Sequence, residues 1–271
     1  MQQVIIIIPI YKSEPNNSEI IALRQCLSIL NKYPIIFVVP KTFDNTFYLS
    51  VVKEYDVQYK FEKFSDSYFE SISGYNSLLL SKAFYERFST YEYMLIYQLD
   101  AYVFRDELSE WCNKAYDYIG APLVGRYEEQ KYHIEMNLRV GNGGFSLRKI
   151  SFYLDYYEGN KNVFSSKQIS NRISLKEKPY TRIFVWVFMM LGWRNKPKSV
   201  ADHWKYNEDD FWSGLLSESN YSPSKPYPIE ALNFAFERFP SSMFDQTKTI
   251  PFGCHAWKKY EYDSFWKKYI S

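Results

Sequence analysis

Histidine and cysteine are scarce in this 271-residue chain, with three of each. Cys26, Cys112 and Cys254 are odd in number and far apart, and no CxxC or Cys/His metal spacing occurs. That excludes a disulfide framework and a zinc finger and points to a reducing compartment. Glycine is sparse as well, at ten residues, and neither GxGxxG nor Gly-Lys-Ser is present, which removes the fingerprints of dinucleotide and P-loop sites. The longest apolar run, Ile183 to Trp193, falls well short of the ~20 residues that cross a bilayer. Met1-Gln2-Gln3 lacks the basic head of a signal peptide, so the expectation is a cytoplasmic protein. Charge of one sign is missing too: 33 Lys and Arg face 31 Asp and Glu, a balance that excludes a protein coating nucleic acid.

What is abundant is aromatic. Phe, Trp and Tyr make up 20% of the chain, with 26 tyrosines. Such rings line sugar and base pockets, although an AT-rich coding sequence would give the same bias without any function. Hydrophobic residues at 46% and charged residues at 24% describe a globular chain rather than a disordered one.

Val4 to Ile8 is a β-branched run closed by Pro9, as in a strand buried on both faces. Ser18 to Asn31 has helical spacing, Ile35 to Val39 is a second strand, Phe47 to Glu54 a short helix and Val57 to Phe61 a third strand. Ser73 to Phe88 reads as one helix and Tyr93 to Leu99 as a fourth strand ending at Asp100. Alternating strands and helices predict a mainly parallel central sheet flanked by helices. Ligands of such sheets sit at the carboxyl ends of the strands near a topological switch point, where Pro9-Ile10-Tyr11 and Gln98-Leu99-Asp100 fall. Further on, Tyr116 to Ala121 resembles a strand, while Ser151 to Lys205 shows no clear period. No Gly-, Ser- or Pro-rich linker divides the chain, so one compact domain over residues 1–271 is expected.

Four constellations could carry chemistry. Asp100 at a strand end suits a divalent cation bound to a diphosphate, or it caps the next turn. Gly141-Asn142-Gly143-Gly144 marks a close backbone approach to a ligand, or a hairpin turn. Asn207-Glu208-Asp209-Asp210-Phe211-Trp212 fits a helix start, where the dipole favours acids and the interior buries the rings. One acid there could act as a general base, or all could be caps. His255, within Pro251 to Trp257, is a ligand type in a tight turn, whereas His133 and His203 read as packed residues.

Taken in this order, the segments YNSLLLSKAFYERF, YQLDAYVF, YDYIGAPL, VGNGGFSLR, NEDDFW and PFGCHAW, from Tyr75 to Trp257, resemble the metal-dependent GT-A glycosyltransferases. The closest resemblance is to a largely uncharacterised, mainly bacterial family of GT-A-like domains. The resemblance implies a GT-A-like Rossmann-type fold, with a nucleotide-binding half over about residues 1–105 and a donor-sugar and acceptor half over about 106–271. It further implies transfer of a sugar, with UDP-sugars favoured as donors, to a hydroxyl of a glycan or lipid-linked glycan. Pro9, Tyr11, Asn76, Gln98 and Asp100 would bind the nucleotide, and Asn142, Gly143 and Gly144 the donor sugar. Trp212 and Asp210 would meet the acceptor, and Asp209 with Glu208 would be catalytic, Asp209 as the base of an inverting reaction. Asp100 and His255 would hold Mn²⁺ or Mg²⁺. The sequence departs from the family's DxD element, because Gln98 or Tyr102 stands where its second Asp belongs, which leaves metal-independent transfer open.

Two readings from other classes remain. A glycoside hydrolase needs two carboxylates across a cleft, which Asp100 and Asp209 could supply; a non-catalytic carbohydrate-binding protein would explain the aromatics but not the acidic cluster beside a late histidine. The terminal Trp257 to Ile270 mixes Lys pairs with aromatics. It either touches an acidic membrane surface or, as its interposed acids favour, packs on the body as a helix.

Overall fold

Every residue from Val4 to Ile8 is buried, and the run lies within strand β1 (Gln2–Pro9). The structure, a computed structural model, describes residues 2–123, 139–173 and 179–270. Helix α1 (Asn17–Ile29) begins at a reciprocal cap, in which the Asn16 side chain accepts from the Glu19 N–H and the Glu19 carboxylate accepts from the Asn16 N–H. Strand β2 (Ile35–Pro40), helix α2 (Thr46–Val52) and strand β3 (Tyr59–Phe64) follow in the expected order. The single helix expected over Ser73 to Phe88 is two, α3 (Ile72–Leu79) and α4 (Lys82–Arg87). Ser81 divides them: its hydroxyl donates to the Leu78 carbonyl at 2.7 Å and accepts from the Phe84 N–H at 3.2 Å, so it closes one helix and caps the next. Strand β4 (Tyr91–Tyr97) comes next.

The second half is built from shorter pieces: β5 (Tyr102–Val103), α5 (Leu108–Asn113), β6 (Tyr118–Gly120), β7 (Pro122–Leu123), β8 (Arg139–Val140), β9 (Phe145–Lys149) and α6 (Ile150–Glu158). Three further helices occupy the stretch without a clear period, α7 (Ser166–Arg172), α8 (Pro179–Met190) and α9 (Pro197–Asp202). A π-helical turn covers Asp210–Gly214, followed by α10 (Pro228–Phe234), β10 (Ala235–Phe236), α11 (Pro240–Thr247) and β11 (Gly253–Cys254).

The main sheet has the order β3-β2-β1-β4-β9-β6. Its first four strands are parallel, and β9 runs antiparallel to both β4 and β6. Mixed α/β with a mostly parallel sheet is the class the sequence predicts. Chain order reverses between β1 and β4, which puts the switch point between Pro9 and Gln98.

Alternation along the central strands divides the core. Val4, Ile6, Ile8, Leu95 and Tyr97 face one side, with α1 and α5; Ile5, Ile7, Met94 and Ile96 face the other, with residues of α3, α4 and α6. A third cluster joins Tyr102, Phe236 and Cys254 to Trp257, Phe265, Trp266 and Ile270. The terminal segment packs on the body as expected, but as turns and a short 3-10 helix, Trp266–Lys268, rather than a long helix. Trp257, Phe265, Trp266 and Ile270 are buried there, while Tyr269 is exposed. All three cysteines are free and buried.

Candidate active site

A cavity of about 890 Å³ opens at the switch point. The end of β1 supplies Pro9 and Tyr11, and the turn after β4 supplies Gln98 and Asp100. The β8–β9 connection contributes Asn142, Gly143 and Gly144, α3 contributes Asn76, the acidic segment Glu208, Asp209 and Asp210, and the turn after β11 His255. Eleven of the twelve other candidate residues thus surround the same space as Asp100. Trp212 does not. Its ring is fully buried against Tyr85, Tyr153 and Tyr156, and its indole N–H donates to the Leu79 carbonyl at 3.2 Å. The acceptor role expected for Trp212 is therefore corrected: the ring anchors the acidic turn in the core.

Glu208, the other catalytic candidate, sits differently from Asp209. It is buried and paired in two-pronged fashion with Arg148, which is fully buried: Oε1 lies 2.7 Å from Nη2 and Oε2 lies 3.0 Å from Nη1. Arg148 completes its donor set on Tyr85 Oη at 3.1 Å and Ser146 Oγ at 3.0 Å. Burial raises the Glu208 carboxyl from 4.5 to about 7, even though the Arg148 charge opposes it. The edge of Glu208 borders the cavity, while both oxygens are held by the Arg148 guanidinium, which keeps its proton.

Asp209, the next residue, is only half-buried, and its Oδ2 accepts from the Gly143 N–H at 3.2 Å. The glycine segment is shaped by Asn142, which takes a left-handed backbone conformation (φ 69°) while its Oδ1 accepts from the N–H groups of Gly144 and Phe145. Tyr118 Oη donates to the Asn142 carbonyl at 2.9 Å. A Cβ on Gly143 would strike the Glu208 carboxylate, and one on Gly144 would strike the His255 ring and the Gln98 side chain. The close approach at these glycines is made to the protein's own Glu208, His255 and Gln98 side chains.

Beside the glycine segment, His255 Nε2 lies 3.1 Å from Asp100 Oδ1, and Nδ1 lies 3.4 Å from Glu237 Oε1 and 2.9 Å from Asn142 Nδ2. Burial pulls the imidazole down, but the two carboxylates override it and bring it up to about 10. Asp100 is opposed in the same way: burial raises its carboxyl and His255 holds it below the ordinary range. Nε2 is buried yet makes no well-aligned hydrogen bond. The ring is thus an imidazolium held between two carboxylates; once the proton has left, Nε2 and the Asp100 carboxylate offer one nitrogen and one oxygen donor that fit a divalent cation completed by phosphate oxygens. Among the described residues no group of three or more His, Cys, Asp or Glu is arranged to hold a metal by itself, so Asp100 and His255 fit only as part of a site that a phosphate ligand completes.

Five further charged residues line the cavity that the sequence reading passed over: Lys12, Glu19, Glu70, Glu237 and Arg238. Glu237 and Arg238 directly follow β10, the same strand-end signal that exposed Asp100, but a two-residue strand leaves no periodicity to read. Asp210 also lines a second cavity of about 250 Å³, together with Arg139, Arg172, Trp204 and Tyr206. His203 is exposed, with Nδ1 2.7 Å from the Ser199 carbonyl; His133 lies outside the described residues. No helix of the described residues is long and apolar enough to cross a membrane.

No curated protein matches the chain. Among solved structures it is similar to core-mannan synthase A (CmsA/Ktr4) from Aspergillus fumigatus in its Mn/GDP form, at 10% identity and TM-score 0.49, covering 82% of this chain and 71% of that one. It is also similar to galactosyltransferase LgtC with donor and acceptor sugar analogs, at 14% identity and TM-score 0.49, covering 93% and 86%. A third is the apo-form glycosyltransferase GlyE of Streptococcus pneumoniae, at 10% identity and TM-score 0.46, covering 94% and 54%. Likenesses this distant carry no argument about chemistry. A family described as a protein of unknown function (DUF5672) matches residues 58–255, a span that reaches from the start of β3 to His255 and holds every candidate residue except Pro9 and Tyr11. The chain belongs to the DUF5672 family.

Proposed function

We propose that this protein is a glycosyltransferase of GT-A type, organised as one catalytic domain. It moves a sugar from a nucleoside-diphosphate sugar, UDP-sugars first, to a hydroxyl of a glycan or lipid-linked glycan. One observation carries the reading: a switch-point cavity with the Asp100–His255 couple on one wall and the Asp209 carboxylate, held by Gly143, on another.

Pro9 and Tyr11 border the place where the base and ribose would lie, and the exposed Tyr11 ring is free to stack on the base. Gln98 and Asn76 offer side-chain amides to the nucleotide, while Lys12 and Arg238 bring positive charge for the diphosphate. Mn²⁺ or Mg²⁺ on Asp100 and His255 would neutralise the charge developing on the departing diphosphate. Asn142, Gly143 and Gly144 flank the donor sugar. Asp209 accepts the proton of the acceptor hydroxyl as that oxygen bonds to the anomeric carbon and the bond to the diphosphate oxygen breaks. Attack on the face opposite the leaving group inverts the anomeric centre. Asp210, which faces both cavities, contacts the acceptor.

The hydrolase reading is less well supported. A glycoside hydrolase needs one carboxyl kept protonated, and since His255 holds Asp100 below the ordinary carboxylate range, Asp100 could not be that acid in the Asp100–Asp209 pair.

The test is release of nucleoside diphosphate from a panel of UDP-, GDP-, CDP- and dTDP-sugars, with and without acceptor glycans. Turnover of one donor that falls at least ~100-fold in Asp209→Asn, with donor binding kept, is expected from loss of a general base. A fully active Asp209→Asn variant would remove the inverting assignment, and hydrolysis of a glycan without any nucleotide would replace the transferase reading.

A further inference from the structure

Helix α8 departs from the rule by which the rest of the chain hides its apolar side chains. None of its twelve residues is buried. Ile183 and Phe184 are 65% and 63% exposed, and Leu191 just beyond the helix is 77% exposed. Trp186 and Met189 turn inward against the core. Ile183, Phe184, Val187, Phe188 and Leu191, at helical i, i+4 spacing, face outward. Phe184 and Phe188 have ring centroids 4.3 Å apart, and Phe188 lies 6.3 Å from Trp193, so the rings form one continuous surface. A contiguous apolar face of this kind marks an interaction site.

The surrounding charge says what it meets. Between residues 159 and 201 there are nine Lys and Arg and one Glu, although the whole chain is nearly balanced at +2. Arg182 lies on α8, and Arg194, Lys196 and Lys198 follow it; Arg194 sits over the Trp193 ring at 4.9 Å. Tyr180 and Trp193, at the two ends, are amphipathic rings suited to the headgroup level. A symmetric contact between two copies would set this positive charge against itself. At roughly 18 Å, by the rise of an α-helix, α8 is too short to span a bilayer and long enough to lie in its surface.

We infer that α8 and Trp193 dock in the plane of an anionic lipid bilayer, with Ile183, Phe184, Val187, Phe188 and Leu191 entering the acyl boundary and the basic residues around them meeting the headgroups. The docking stands apart from the transfer reading and is measured without any substrate. If that reading holds as well, Arg172 of α7, the helix that contacts α8, lines the second cavity together with Asp210, and a lipid-linked acceptor would join the two surfaces.

The test is co-sedimentation of the full chain with vesicles of equal parts phosphatidylglycerol and phosphatidylcholine, and with phosphatidylcholine alone. Binding to the anionic vesicles, weakened by salt and at least about tenfold weaker in Ile183→Glu/Phe184→Glu, is the expected result. Arg182→Glu and Lys198→Glu, which leave the apolar face intact, should each lower it by about fivefold or more. Circular dichroism and an unchanged unfolding midpoint show that these surface variants are folded. The inference is overturned by absence of binding to anionic vesicles, by binding that the folded variants leave unchanged, or by a chain that is dimeric in solution and becomes monomeric in Phe184→Glu.

Discussion

Asp209 Oδ2 accepts a hydrogen bond from the backbone N–H of Gly143 at 3.2 Å. The contact joins the acidic turn to the glycine segment, 66 residues apart in sequence. Directly behind it, the Arg148–Glu208 pair links the same two segments from the buried side, since Arg148 belongs to β9 and Glu208 immediately precedes Asp209. One carboxylate of the acidic run is tied into the buried pair, and its neighbour faces the cavity.

Removal of the guanidinium from this pair should be costly. Arg148→Met leaves Glu208 buried without its cation and strips donors from Tyr85 and Ser146, so unfolding in urea should show a loss of about 3–5 kcal/mol. A change within a few tenths of a kcal/mol would mean that the pair does not organise the acidic turn.

Gly144→Ala tests the crowding around His255. The added methyl has no room beside the imidazole and Gln98, so His255 must move away from Asp100. Nucleoside-diphosphate binding in the presence of Mn²⁺ should weaken by at least about tenfold, the usual loss when a supporting contact of a metal ligand is disturbed. Unchanged affinity in a folded variant would separate His255 from the binding site.

Lys225 gives the stability of the acidic turn a pH dependence. Its ammonium donates to Ser217 Oγ at 2.6 Å and to the Ser213 carbonyl inside the turn. Burial, reinforced by Arg139, brings it from 10.5 down to about 8. Between those values the unfolded chain holds a proton that the folded chain has released, so stability rises with pH. Below about pH 8 both states are protonated and the folded state bears the full cost of the buried charge. The stability of the unmodified chain relative to Lys225→Met, measured by urea unfolding, should therefore increase from about pH 8 to about pH 10.5. A flat or falling difference would contradict the placement of this side chain.

The first half of the fold was legible because its strands are long enough to carry a signal. Val4 to Ile8 and Ile35 to Val39 are continuous apolar runs closed by proline, and each became a buried strand. The break at Ser81 was hidden because Leu78, Leu79, Ala83 and Phe84 keep helical spacing across it; only the cap hydrogen bonds show it. At the site, the strand-end Asp100, the glycine segment and the acidic run were read from composition at expected places. Composition did not say which acid would be buried. Glu208 and Asp209 look alike in a chain of letters, and their difference arises from Arg148, far away in sequence, folding back to meet one of them. Trp212 was misassigned for a related reason, since an exposed ring and a core ring have the same sequence signature. Glu237 and Arg238 were missed because a two-residue strand precedes them.

Calorimetric titration of the protein with UDP, GDP, CDP and dTDP, with and without Mn²⁺, and beside Asp100→Ala, tests the central claim most directly. The account predicts that one of these diphosphates binds, that Mn²⁺ strengthens the binding, and that Asp100→Ala removes the effect of the metal and weakens affinity by at least about tenfold, as loss of a first ligand should. A folded protein that binds none of the four diphosphates under either condition would contradict it.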